Sequence, residues 1–204
     1  MTVQNSVAVR DGKNDSVETN IGVSPIVRLY NGTKPADCAA ALSGNTLLAQ
    51  GTLPSDWMAA SSAGVKAKSG SWTLTGQSGA GAGTAATFYR IFNSGDTVCH
   101  EQGTAGANTV INTNGATAAN SNVLNFAATT GVAVGQQVSG TGIPADTKVL
   151  AFTGTTVTLD KASSAGVSNG ASITFGYDMV LDNNNIANAQ SLNVATYQKT
   201  AGNP

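Results

Sequence analysis

A chain of 204 residues is long enough for one large domain or two small ones, and for a buried core. Hydrophobic residues make up 41% and charged residues only 10%, against about a quarter in ordinary soluble domains, so the surface is covered mainly by Ser, Thr, Asn, Gln, Gly and Ala. The net charge of −1, with ten Lys and Arg scattered along the chain, excludes the one-sided cationic surface that nucleic-acid binding requires.

Residues 3–21 hold the one helix expected. Val3, Val7, Val17 and Ile21 form a ragged apolar stripe, and Asp11, Asp15 and Glu18 fall on neighbouring turns. Gly12 and Asn14 weaken the helix, and the three carboxylates read as a solvated face rather than a cation site. The stretch MTVQNSVAVRDGKNDS is polar and lacks an apolar run suited to a signal peptide, and no segment approaches the ~20 apolar residues that span a bilayer. The expectation is synthesis and retention in a cytoplasm, without membrane association.

From Ser24 onward the pattern changes to short β-runs. Pro25–Tyr30 alternates and stops at the turn dipeptide Asn31-Gly32. Thr46–Gln50 is a strand, and Asp56–Ala60 a corner with a buried indole. Val65–Lys68 and Ser71–Thr75 are two strands joined at Ser69-Gly70. Lys66 and Lys68 share one strand face, and the pair reads as a solvated edge. Gly76–Gly83 is a flexible loop, and no Gly-Lys-Ser/Thr follows that would make it bind phosphate. Ala85–Phe92 is the strongest strand, with Asp96–Gln102 its hairpin partner. Trp57, Trp72, Phe88 and Ile91 are expected in the core.

Between Thr104 and Gly176 the only charged residues are Asp146, Lys148, Asp160 and Lys161. Strands are expected at Val123–Ala127, Gln136–Ser139, Thr147–Phe152, Thr155–Leu159 and Ser172–Phe175, with a tight turn at Thr153-Gly154. Their core would be Val123, Leu124, Phe126, Val138, Val149, Phe152, Val157, Leu159, Ile173 and Phe175. Tyr177–Asp182 and Ser191–Gln198 then return to stronger strands. The break at both edges predicts an insertion: a host β-sandwich from residues 1–103 and 177–204, and a small β-sandwich or barrel module from 104–176 protruding from a hairpin.

Catalytic chemistry is missing from this pattern. His100 stands alone between Cys99 and Glu101, and adjacent strand positions point to opposite faces. Asp178 and Asp182 share a strand face about 13 Å apart, too far to chelate one ion; Asp182 reads as a turn residue. Cys38 and Cys99 match no zinc or redox spacing and read as two buried thiols, with a disulfide only in an oxidising medium. The expectation is a non-enzyme with no catalytic, cofactor-binding or metal residues.

Three segments together resemble small virion structural proteins of tailed bacteriophages: Leu47–Ala49 running to Leu53–Met58, Gly83–Ile91, and Asp178–Asn183 continuing through Ile186-Ala187. The resemblance covers about residues 5–103 and 177–203. The intervening segment, with VGQQVSGTGIP and TVTL, is similar to small β-modules carried by phage structural proteins, and departs from the host pattern. The resemblance implies an all-β virion part, a homo-oligomer contacting other virion proteins such as the major capsid or neck and tail subunits. The leading expectation is a capsid decoration or cement protein. Alternatives are a neck, tail-tube or tail-fibre component, or a carbohydrate-binding adhesin domain.

Overall fold

In the computed structural model, which describes residues 4–201, helix α1 (Val7–Ile21) leads into strands β1 (Ile26–Asn31), β2 (Thr46–Thr52), β3 (Val65–Ala67) and β4 (Thr73–Gly76). A 3-10 turn (Ser78–Ala80) follows, then β5 (Thr84–Ala85), β6 (Phe88–Phe92) and β7 (Cys99–Gly106). Next come β8 (Thr109–Asn112), β9 (Val123–Asn125), β10 (Gln137–Ser139), β11 (Thr147–Phe152), β12 (Thr156–Leu159) and β13 (Ser172–Gly176). The chain ends with β14 (Met179–Leu181), β15 (Asn185–Ile186) and β16 (Ser191–Thr200). The fold is all-β with one short N-terminal helix. Val3 lies outside the described residues.

The chain forms two units. The first runs up to Gly106 and resumes at Met179; the second is Ala107–Asp178. In the first, the sheet order is β14-β7-β6-β1-β2-β4-β16-β3, and β14 also pairs with β16. The strands therefore close into a ring, which removes the open edges of a simple sandwich. Pairing is antiparallel except at one place, where β14 lies parallel to β7 with Met179 opposite Ala105. The chain thus leaves at Gly106 and returns beside Ala105 heading the same way. Parallel neighbours cannot be joined by a tight turn. The insertion sits in a crossover and not in a hairpin, and its first edge falls at Gly106 rather than Gly103 because β7 runs on.

Burial follows the strand alternation. Trp57, Trp72 and Ile91 have no exposed surface and pack with Leu29, Leu48, Leu74 and Tyr197. The rings of Trp57 and Trp72 lie 5.7 Å apart, and those of Trp72 and Tyr197 5.0 Å apart. Both indoles keep a partner: Trp57 Nε1 donates to Gly22 O (3.0 Å) and Trp72 Nε1 to Ser69 O (3.1 Å). Phe88 is equally buried, but stacks on Tyr30 at 5.1 Å across the β1–β6 pair, on the face opposite Ile91. Gly76 marks a close approach: a Cβ there would meet Ala187 O at 1.9 Å.

The second unit has a six-stranded sheet, β8-β13-β10-β11-β12-β9, and a bridge between Thr113 and Phe126 joins its two ends. Its core is Leu124, Phe126, Val138, Val149, Val157, Leu159, Val167, Ile173 and Phe175, with Phe126 and Phe175 in edge contact at 5.6 Å. Short polar side chains inside bond the backbone: Thr147 Oγ1 donates to Pro144 O (2.7 Å) and Thr113 Oγ1 to Ser168 O (2.7 Å). Two expected core residues fail here: Phe152 is 43% exposed, and Val123 is only partly buried. Strand β8 was not among the expected strands. An irregularity in β11 between Val149 and Ala151 breaks the alternation, so Leu150, Ala151 and Phe152 are all exposed.

Candidate functional site

Helix α1 reverses the expected pattern. Asp11, Asn14, Asp15 and Glu18 occupy the spacing that normally carries the apolar stripe, and this face is the one that docks. Val7 and Val9 are 50% and 47% exposed. Asp11 Oδ1 accepts from Gly64 N (2.7 Å) and Ser61 Oγ (2.9 Å), while Asn14 Nδ2 donates to Gly64 O (2.8 Å). Gly64 thus gives both backbone groups to the helix, at φ +82° and with the Arg10 guanidinium where a Cβ would stand. Lys66, its side chain 4% exposed, reaches Asp15 at 2.8 Å and Glu18 at 3.0 Å. The solvated acidic face and the solvated Lys66–Lys68 edge are therefore both corrected. The carboxylates are neutralised by a buried lysine, and Lys68 donates to Gly70 O (2.9 Å).

The hydrogen bond from Lys66 holds the Asp15 carboxyl below its ordinary value of 3.8. Burial alone would lower the Lys66 pKa, and the two carboxylates outweigh it and hold the ammonium above 10.5.

A second polar hub sits where the ring is thinnest. Below Met179 no β14 residue lies between β7 and β16, and Glu101 spans the gap. Its Oε1 accepts from Tyr89 Oη (2.6 Å) and from Tyr197 Oη, and its Oε2 pairs with Lys199 Nζ at 2.6 Å. The cluster ties β6, β7 and β16 together. It lacks a nucleophile with a base, so its chemistry is that of a fastener.

A groove of about 280 Å³ crosses β1, β2 and β4, lined by Arg28, Gln50, Thr75, Gln77 and Asp96 among others. Arg28 pairs with Asp96 and lies 5.2 Å from the Phe92 ring centroid. Arg28 Nε and Asp96 Oδ1 are buried without a hydrogen-bond partner. Both atoms are shut off from the groove's surface, so what the groove offers a ligand is the amides and hydroxyl of Gln50, Gln77 and Thr75.

The remaining sequence candidates are scattered. His100 is exposed at the β6–β7 irregularity, where Ile91 faces Glu101 and Phe92 faces Cys99. Asp182 accepts from Asn193 N (2.9 Å) and Nδ2 (3.1 Å), which ties it across to β16 rather than within a turn. Among the described residues no group of three or more His, Cys, Asp and Glu could hold a metal ion, and no helix is long and apolar enough to cross a membrane. Cys38 and Cys99 depart from expectation: both are half-buried rather than buried, and Cys38 stands near enough to act on the Cys99 thiol. Burial first, and the Cys38 thiol second, push Cys99 up to about 12. The docking face of α1, the Glu101 hub and the groove escaped sequence reading because each joins segments far apart in the chain. No family model, curated protein or solved structure matches the chain.

Proposed function

We propose that the chain is a non-enzymatic structural protein of a tailed-bacteriophage particle, a homo-oligomeric capsid decoration or cement protein bound to the major capsid subunits. The observation that carries this reading is the exposed apolar group around β11. Leu150 is 58% exposed and Phe152 43%, and Val134, 62% exposed, lies beside Leu150 through the bond from Gly135 N to Val149 O (2.9 Å). These side chains sit in a segment with four charged residues, so little charged surface competes with apolar contact. The resemblance to small virion proteins supports the same reading. The test is to bind the purified chain to particles lacking it and repeat with Leu150→Ser/Phe152→Ser. Docking lost with unchanged melting supports the reading; undiminished docking removes β11 as the anchor.

A carbohydrate-binding role is favoured by one observation, the groove beside the Arg28–Asp96 pair. A glycan array tests it. Binding abolished by Arg28→Met and Gln50→Ala would support a glycan site, and a blank array would leave the assembly reading alone.

A further inference from the structure

Between β1 and β2 the chain runs as an irregular strap, residues 32–45, fastened to the β6–β7 pair. Arg90, 4% exposed, donates through Nη2 to Asp37 O (3.1 Å) and Ala40 O (2.8 Å), on either side of Cys38. Gln102 Nε2 donates to Pro35 O (2.7 Å) and its Oε1 accepts from Arg90 Nε (3.1 Å), so the two clamps brace each other. Cys99 begins β7 opposite Phe92, with Sγ donating to Glu101 O at 3.4 Å. The backbone around each cysteine is thus fixed independently. Both thiols are half-exposed and free, and Cys38 stands near enough to act on Cys99.

We propose that Cys38 and Cys99 form an oxidation site, closed to an intramolecular disulfide by exchange with a small-molecule disulfide of the glutathione class. The Cys38 thiolate attacks one sulfur of oxidised glutathione, the S–S bond breaks, and one glutathione leaves with the electron pair and takes up a proton. The Cys99 sulfur, giving up its proton to solvent, then displaces the second glutathione from Cys38. Two protein thiols are oxidised to one disulfide and one small disulfide is reduced to two thiols. Cys38 acts first because the Cys99 thiol is engaged with Glu101 O at 3.4 Å, and burial, with the neighbouring thiol second, pushes it up to about 12. The closed bond makes the clamped strap covalent and bridges the start of the ring to β7, a loop of roughly 60 residues that removes much freedom from the unfolded chain. This site goes beyond the structural role proposed above and does not depend on it.

The experiment equilibrates the purified full chain with oxidised and reduced glutathione and maps its thiols by mass spectrometry. The expected result is loss of both thiols, no glutathione retained, one Cys38–Cys99 cross-linked peptide, and a melting rise of roughly 10 °C in the first unit that dithiothreitol reverses. Cys99→Ser should hold one glutathione on Cys38, whereas Cys38→Ser should leave Cys99 unmodified. Two stable glutathione adducts on the parent chain, cross-links only between chains, or two free thiols under oxidising conditions would overturn the site. Glutathione accumulating on Cys99 in the Cys38→Ser chain would overturn the order of attack.

Discussion

Lys66 Nζ stands 2.8 Å from Asp15 Oδ1, and this contact fastens the helix to the barrel through polar groups where apolar packing is the usual means. Lys66→Ala removes the cation and leaves Asp15, its side chain 49% exposed, and Glu18, 23% exposed, without their ammonium. Urea unfolding should show a loss of stability, moderated by the water that reaches Asp15. Lys66→Arg should recover less than half of it, since the 4%-exposed site is shaped for an ammonium. No measurable loss for the alanine variant would mean that α1 is held by Ile21, Val17 and the Asp11 and Asn14 bonds to Gly64 without help from the ion pair.

The same joint sets a pH window. Asp15 is held below 3.8 by the Lys66 hydrogen bond, so its contribution is complete above about pH 4 and is lost as pH falls through the folded value. Lys66 is held above 10.5 by its two carboxylates, so its contribution is complete below about pH 10 and is lost as pH rises through the folded value. Melting followed between pH 2 and 11, read with Trp57 fluorescence because that indole bonds Gly22 at the helix end, should be flat between these limits and fall outside both. A Lys66→Met chain should lose the alkaline fall. Its persistence there would assign it to the tyrosines.

Glu101 makes the other ionic fastening, across the notch between β7 and β16. Glu101→Ala leaves Lys199 and two tyrosine hydroxyls without their acceptor, at an expected cost of about 3–5 kcal/mol. Glu101→Gln keeps one acceptor oxygen and should cost about 1–2 kcal/mol. Hydrogen exchange should locate the loosening in β16 from Tyr197 to Thr200. Equal effects of the two substitutions would show that the charge of Glu101, rather than its shape or remaining acceptor, closes the notch.

Much of the fold was legible because local patterns and packing agree. The Asn31-Gly32 stop, the β6–β7 hairpin, the buried Trp57 and Trp72 and the charge-poor segment all read directly from strand alternation, turn residues and composition. Misreadings arose where tertiary partners decide. Acidic residues on one helix face normally meet water, and only Lys66 and the Gly64 backbone, far off in sequence, make that face the docking one. Phe152 fits a buried strand position until the β11 irregularity shifts it. The parallel β14–β7 pair was hidden because the strand direction is set by where the inserted unit returns the chain.

That return predicts the outcome of excision. Met179 sits opposite Ala105, within about 5 Å across one strand spacing. Replacing residues 107–178 by a Gly-Ser linker of about fifteen residues, long enough for a parallel crossover, should therefore leave a first unit that folds, with its tryptophan emission and cooperative unfolding kept. Joining Gly103 directly to Tyr177 removes the buried Ala105 and with it the β7 pairing of Met179, and should destabilise the first unit markedly by comparison. Equal stability of the two excisions would contradict the parallel register.

The central claim is that this chain is a repeated part of a phage shell. Electron cryo-microscopy of intact phage particles purified from cells that produce the chain tests this most directly. The account predicts density for both units at every equivalent shell position, with Leu150 and Phe152 against the capsid subunits. Density confined to a few copies at the neck or tail would contradict the decoration role, and absence of the chain from purified particles would contradict a virion role altogether.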